Sequence, residues 1–301
     1  MEKNTSKLKK VLKENYKLLK NIPGVKEVGY GFKYKNGKRT ATQAIIVSVG
    51  KKAKLQELPE EDRIPKSIDG VPVDVIEMYS YEQDYRDPYA VCDDLCGGLS
   101  ISIEKFTGSG GTMGAIVYEN RTERLMGLTN HHVLFHSKLL KKTKAGDRII
   151  QPAFKRVSSK TIIGELARGD KHYDCAVFYL KNTRTVNMTD CLNGFTGKIN
   201  GVTDPEPGMK VKKTGARTQM TFGIIDHVYP DYFIVVSNPD KPAPKNEISY
   251  KGDSGAVWVT DDAENIAVGL HNRGERSSSA DIEWAGAIKM SKVVKKMNIH
   301  F

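Results

Sequence analysis

From residue 97 to residue 288 the chain sets short apolar runs between turn-forming residues. The runs fall at 99–103, 112–118, 125–129, 162–166, 176–180, 210–214, 223–228, 233–237, 256–259, 266–270 and 284–288. They are rich in Val, Ile, Leu and aromatic residues, and Gly, Pro, Asn and Asp fill the gaps, a pattern that predicts strands in a sandwich or in barrels. A short helix is predicted over 291–298, where Val293, Val294 and Met297 recur at helical spacing. The pattern ahead of residue 90 is different. Leu8, Val11, Leu12, Tyr16 and Leu19 form a helical stripe within 5–20, with Lys side chains largely on the other face, and Pro23-Gly24 ends the segment. Strands are predicted at 25–34, 42–49 and 71–76, the first two joined by an Asn36-Gly37 hairpin turn. Residues 51–68 read as a short helix and loop, and 79–88 as a linker. The predicted organisation is a basic amphipathic helix over 1–20, a small α/β domain over 21–80 and a mainly β domain over 90–301.

Charge and composition narrow the class. The net charge is +11, and residues 1–20 hold seven Lys against two Glu, so +5 of it sits there. Such a helix can meet an acidic partner, a membrane surface or nucleic acid, but its apolar stripe is satisfied more simply by packing on its own domain. Its aromatics are not interleaved with the basic residues as a base-stacking surface requires, which argues against nucleic acid. No stretch approaches the ~18 apolar residues of a membrane span, nor does the start carry the apolar core of a signal peptide. A soluble, cytoplasmic protein with reduced thiols is therefore expected. Cys92, Cys96, Cys175 and Cys191 are too few for a disulfide scaffold in 301 residues. Cys92 and Cys96 lack the second Cys/His pair of a zinc site.

Chemistry concentrates in three places. Gly252-Asp253-Ser254-Gly255 can present a hydroxyl on a sharp turn, with backbone N–H groups free to approach a substrate. The segment 127–134, Gly-Leu-Thr-Asn-His-His-Val-Leu, carries an apolar strand into two histidines. Asp174 opens the apolar run Cys175-Ala176-Val177-Phe178. Each has a plain structural explanation when taken alone, as a Gly-rich turn, a structural histidine or a cap. Together, in the order His, Asp, Ser, they match the needs of a nucleophilic serine: an imidazole to take the proton and a carboxylate to orient the imidazole.

On these motifs residues 97–290 resemble the chymotrypsin-like, or trypsin-fold, serine peptidases, bacterial members without a secretion signal in particular. Gly97-Gly98-Leu99-Ser100, Gly111-Thr112-Met113-Gly114 and Lys213-Thr214-Gly215-Ala216-Arg217-Thr218 add to the likeness. Residues 21–78, with Ile64-Pro65-Lys66-Ser67-Ile68-Asp69-Gly70, resemble an α/β extension found ahead of such domains. The resemblance implies two six-stranded antiparallel β-barrels, about 97–185 and 205–290. It also implies a serine endopeptidase acting on protein or peptide through an acyl-enzyme, with neither metal nor cofactor. Residue by residue it implies Ser254 as nucleophile, His132 as base and Asp174 as its orienting carboxylate, with the N–H groups of Gly252 and Ser254 as the oxyanion hole. His132 is preferred to His131 because it stands directly before Val133-Leu134. Alternation along a strand would also let only one of the two face the site.

The substrate strand is expected to pair along 270–274, so Asn272, Arg273 and Gly274 are substrate-binding residues, with Ile248 at the base of the main specificity pocket and Trp284 lining it. Ile248 takes the place of the acid of trypsin-type enzymes, so an apolar preference is expected. Arg273 and Arg276 make an acidic preference the alternative. Secreted relatives order the oxyanion loop with a new N-terminus that pairs with the Asp beside the nucleophile. With no such activation sequence ahead of Gly97, Asp253 needs another partner, or the loop waits for a regulatory partner acting on residues 1–80. The competing readings are a catalytically silent peptide-binding module and, remotely, a cysteine hydrolase using Cys175 or Cys191.

Overall fold

The computed structural model of the chain describes residues 2–35, 38–49, 52, 56, 58–77, 86–106, 108–135, 142–155, 157–182, 184–188, 191–244, 247–275 and 283–301. The Asn36-Gly37 turn, Arg276 and most of the 79–88 linker lie outside these residues. The chain divides into two compact units, Met1–Glu82 and Gln83–Phe301.

The first unit begins with helix α1 (Glu2–Lys20), followed by β1 (Val25–Lys35), β2 (Lys38–Val49), a 3-10 turn at Glu60–Asp62, β3 (Ser67–Ile68) and β4 (Val71–Glu77). The sheet order is β1-β2-β4-β3, with β1 and β2 antiparallel and β2 and β4 parallel. Leu8, Val11 and Leu19 of α1 are buried against Val28, Ile45, Val47, Val71 and Val73. The apolar stripe thus faces this unit's own sheet, while Lys7, Lys9, Lys10, Lys13 and Lys17 are exposed. Tyr16 is 40% exposed, so the buried face is narrower than the sequence stripe. Neither α1 nor any other described helix is long and apolar enough to cross a membrane.

The second unit is mainly β. Its elements are β5 (Asp94–Leu95), β6 (Leu99–Ile103), β7 (Gly111–Met113), β8 (Ala115–Glu119), β9 (Leu125–Thr129), α2 (His131–Leu134), β10 (Arg148–Ile150), β11 (Ile162–Asp170), β12 (Cys175–Leu180) and β13 (Thr185–Val186). Then follow β14 (Lys210–Gly215), β15 (Gln219–Val228), β16 (Tyr232–Ser237), β17 (Val257–Thr260), β18 (Ala267–Gly274), β19 (Trp284–Lys289), α3 (Met290–Met297) and β20 (Ile299–His300). Strands β14-β15-β16-β19-β18-β17 form a closed barrel with antiparallel neighbours. The other half is a sheet in the order β20-β8-β9-β12-β11-β10-β6-β7. Strands β7 and β8 are consecutive pieces of one stretch divided at Gly114; one pairs with β6 and the other with β9, so this sheet curls back on itself. The expected run at 112–118 is therefore broken in two. β10, which the apolar pattern did not announce, bridges β6 and β11 and completes the curl.

Alternation along the strands serves two cores. In β12, Cys175 and Val177 join the cluster containing Met126, Leu128, Val257, Val259 and Leu270, which spans both halves. Ala176 and Phe178 face the interior of the curled sheet with Leu99, Ile101 and Ile149. A strand covered on both faces reads as a continuous apolar run. Trp258, Phe233 and Val235 fill the closed barrel. Helix α3 packs Met290, Val293 and Met297 into the shared cluster, and Arg168 ties its end by donating to the Met297 carbonyl and pairing with Glu119 at 2.8 Å.

Candidate active site

The three chemical segments are joined by a short chain of hydrogen bonds. The Thr112 N–H donates to the Ser254 carbonyl at 2.8 Å, and the Thr112 carbonyl accepts from the Thr129 hydroxyl at 2.7 Å. Next along the chain, Asn130 Nδ2 donates to the Asp174 carbonyl at 2.8 Å. The two halves approach so closely that only glycine fits. A Cβ on Gly114 would stand 1.9 Å from the Gly255 carbonyl oxygen, and one on Gly255 would stand 2.2 Å from the Thr112 oxygen. Gly255 also has φ of +98°, where side chains are strained.

His132 and Asp174 meet directly. His132 Nδ1 lies 2.7 Å from Asp174 Oδ2, and the His132 backbone N–H donates to Asp174 Oδ1 at 3.0 Å. Both carboxylate oxygens are thus used on one residue, which fixes the ring and leaves Nε2 with no partner among the described residues. Asp174 adopts φ of +45°, a left-handed conformation that Asp tolerates better than most residues. His131 takes another course: its ring stacks on Phe135, with centroids 4.1 Å apart and planes 2° from parallel. The alternation expected of these two histidines does not apply, because His131–Leu134 is a helical turn and not a strand. Successive residues on a helix are separated by their angle around its axis instead.

The Ser254 turn is organised from beneath. Asp253 is fully buried and accepts from Lys213 Nζ at 3.1 Å, the Thr218 hydroxyl at 2.6 Å, and the N–H groups of Arg217, Thr218 and Tyr250 at 2.9, 3.0 and 3.0 Å. Burial opposes its ionisation, but the Lys213 ammonium and these donors outweigh it and hold the carboxyl below its usual range. Burial draws Lys213 toward losing its proton, and the adjacent carboxylate resists this. Asp253 thus has an internal cationic partner, the first of the two expected alternatives. Gly215 makes room for the carboxylate, since a Cβ there would lie 2.2 Å from Asp253 Oδ1. In the turn itself the N–H groups of Asp253, Gly255 and Ala256 donate to the carbonyls of Tyr250, His271 and Asp253. Those of Gly252 and Ser254 have no acceptor among the described residues.

The expected substrate-binding residues are placed unevenly. Ile248 is fully buried in the closed barrel's core, and its carbonyl accepts from the Thr221 hydroxyl. Its side chain lies among Val211, Phe233 and Trp258. Trp284 is half-buried in β19 opposite Val236. Asn272 is half-buried, and its Oδ1 has no hydrogen-bond partner among the described residues. Arg273 is exposed, with its guanidinium 4.3 Å from the centroid of Tyr232. Gly274 abuts Ser249, whose Oγ would lie 2.3 Å from a Cβ there.

Three further residues belong to this neighbourhood without a signal strong enough to read in the sequence. Lys213, part of a motif that adds to the likeness but with no role assigned there, is wholly buried. His271 is 2% exposed, edge-on to Trp258, and its Nδ1 has no hydrogen-bond partner among the described residues. Burial first, and then the Lys213 charge, push it down to about 3, so it is uncharged at neutral pH. Glu283 accepts from the Ser249 and Ile248 backbone, and burial raises its carboxyl. The thiols recede from the chemistry: burial pushes Cys175 up to about 12 within the shared core, and Cys191 is buried there too.

No protein-family model matches the chain, and no curated protein matches it. Among solved structures it is similar to Nocardiopsis protease (15% identity, TM-score 0.48), covering 68% of this chain and 97% of that one. It is similar to Thermobifida fusca protease A (15%, TM-score 0.49, 68% and 97%). It is also similar to a glutamic-acid-specific serine protease described as using a histidine triad in substrate binding (16%, TM-score 0.48, 68% and 99%). Likenesses of this size concern the course of the chain and carry nothing about its chemistry. In the second unit a closed barrel and a curled sheet together carry a carboxylate-held imidazole and a serine turn, the turn tied through Thr112 to Thr129.

Proposed function

We propose that the chain is a serine endopeptidase. The observation that carries this reading is the Asp174 carboxylate holding His132 by both ring and backbone, at 2.7 and 3.0 Å. The unused N–H groups of Gly252 and Ser254 support it. In this reading Asp174 keeps the proton on Nδ1, and Nε2 takes the Ser254 hydroxyl proton as Oγ attacks the peptide carbonyl. The tetrahedral oxyanion is met by the N–H groups of Gly252 and Ser254. His132 then gives the proton to the leaving amine, and water repeats the sequence on the acyl-enzyme. The preorganised Asp253 matters because a rigid turn spends no free energy on ordering its donors during reaction.

The test is labelling by a fluorophosphonate probe. Wild-type labelling that disappears in both Ser254→Ala and His132→Ala is expected. A wild-type chain that is folded yet unlabelled would sink the peptidase reading in favour of a silent peptide-binding module.

A further inference from the structure

A cleft of about 770 Å³ opens beside the Ser254 turn. Its lining includes Arg217, Tyr250, Lys251 and Gly252 together with Gly110 and Gly111. Tyr89 and Phe154 stack across one end, with ring centroids 6.3 Å apart. The cleft reaches the site itself: the Tyr89 hydroxyl lies 3.7 Å from where a Cβ on Gly252 would stand, and a Cβ on Gly111 would meet the Ser254 carbonyl at 2.7 Å. It contains no residue of 270–274 and neither Ile248 nor Trp284. If the acyl side of a substrate pairs along 270–274, the chain beyond the scissile bond leaves over Gly252 and into this cleft.

Its chemistry is distinctive. Phe154 and Tyr250 are 54% and 55% exposed, large apolar areas to leave open to water. Phe154 holds φ of +65°, uncommon for a bulky residue. Arg217 and Lys251 are exposed cations, and neither pairs with a carboxylate among the described residues. The Arg217 guanidinium lies 5.8 Å from the Tyr250 centroid, so ring and charge form one surface.

We propose that this cleft binds the leaving-group side of the substrate and selects a carboxylate there, held by Arg217 and Lys251 while neighbouring side chains lie on Tyr89, Phe154 and Tyr250. The inference rests on the peptidase reading for its direction. The carboxylate belongs either to an Asp or Glu side chain just beyond the cleaved bond or to a nearby chain terminus.

Binding to full-length Ser254→Ala, followed by anisotropy of fluorescent peptides, tests it without turnover. Three peptides share one acyl side. Beyond the bond they carry Phe-Glu-amide, Phe-Gln-amide or Phe-Gln with a free terminus. At low salt a carboxylate is expected to tighten binding about tenfold, as a charge-assisted contact at a partly open site does. The first peptide reports a side-chain source and the third a terminal one. The gain should vanish when Arg217→Gln and Lys251→Gln are added, with the melting temperature checking the fold. Equal binding of all three peptides, or a preference that survives the double substitution, overturns the proposal. If the wild type cleaves the peptides with no carboxylate preference, this inference fails and the peptidase reading stands. If Ser254→Ala binds them selectively through Arg217 and the wild type never cleaves, the peptidase reading fails and the cleft stands.

Discussion

Lys213 Nζ and Asp253 Oδ2 stand 3.1 Å apart with both side chains fully buried. Removing one partner of such a pair leaves an uncompensated charge in the interior, which costs about 3–5 kcal/mol. Lys213→Met should lower the unfolding free energy by about that amount and slow acylation of Ser254 beyond what the stability loss explains. Chemical denaturation and probe-labelling rates measure the two effects. A variant as stable and as reactive as the wild type would show that the ammonium does not order the turn.

The same pair bears on control. Asp253 is satisfied entirely within Gln83–Phe301, a unit with its own cores. A fragment of residues 83–301 is expected to react with a fluorophosphonate as fast as the full chain. A fragment that folds but reacts far more slowly would restore regulation through residues 1–80.

Asp174 acts through His132, so its neutral isostere should leave the fold intact and disturb the imidazole. Asp174→Asn is expected to cut kcat by about 10⁴-fold, because an amide donor facing Nδ1 favours the wrong tautomer. Melting temperature should change little beside that. A loss below tenfold would remove Asp174 from the mechanism.

His271 makes stability depend on pH. Its folded value of about 3 lies below the ordinary 6.5, so between these limits the unfolded chain binds a proton that the folded chain refuses. Stability from this group is complete above about pH 6.5 and falls as pH drops toward 3, at up to about 1.4 kcal/mol per pH unit. Asp253 adds loss in the same direction only at lower pH, since its carboxyl is already held below 3.8. Urea midpoints from pH 7 to 4 should fall less steeply for His271→Gln than for the wild type. Parallel curves would mean that His271 is protonated in the folded chain.

Much of the second unit was legible where strands bury both faces, as in β6, β9 and the first half of β12. Runs such as 99–103 and 125–129 coincide with β6 and β9 residue for residue. β10 was not legible: it has only Ile149 and Ile150 as apolar residues, and it is a strand because β6 and β11 flank it. The helical turn at His131–Leu134 was hidden for a similar reason, since four residues are too few to show a period.

The sequence by itself determined the alternation of apolar and turn residues, hence a mainly β second unit, and the types and order of His132, Asp174 and Ser254. Those follow from local periodicity and from chemistry that belongs to single side chains. Only the tertiary structure decided that both oxygens of Asp174 meet His132, that Lys213 neutralises Asp253, that Ile248 is fully buried, and that aromatic and basic residues from distant segments line one cleft beside Gly252. Each of these depends on burial and on contacts between residues far apart in the chain. A lysine or a histidine reads the same in sequence whether it faces water or a buried carboxylate.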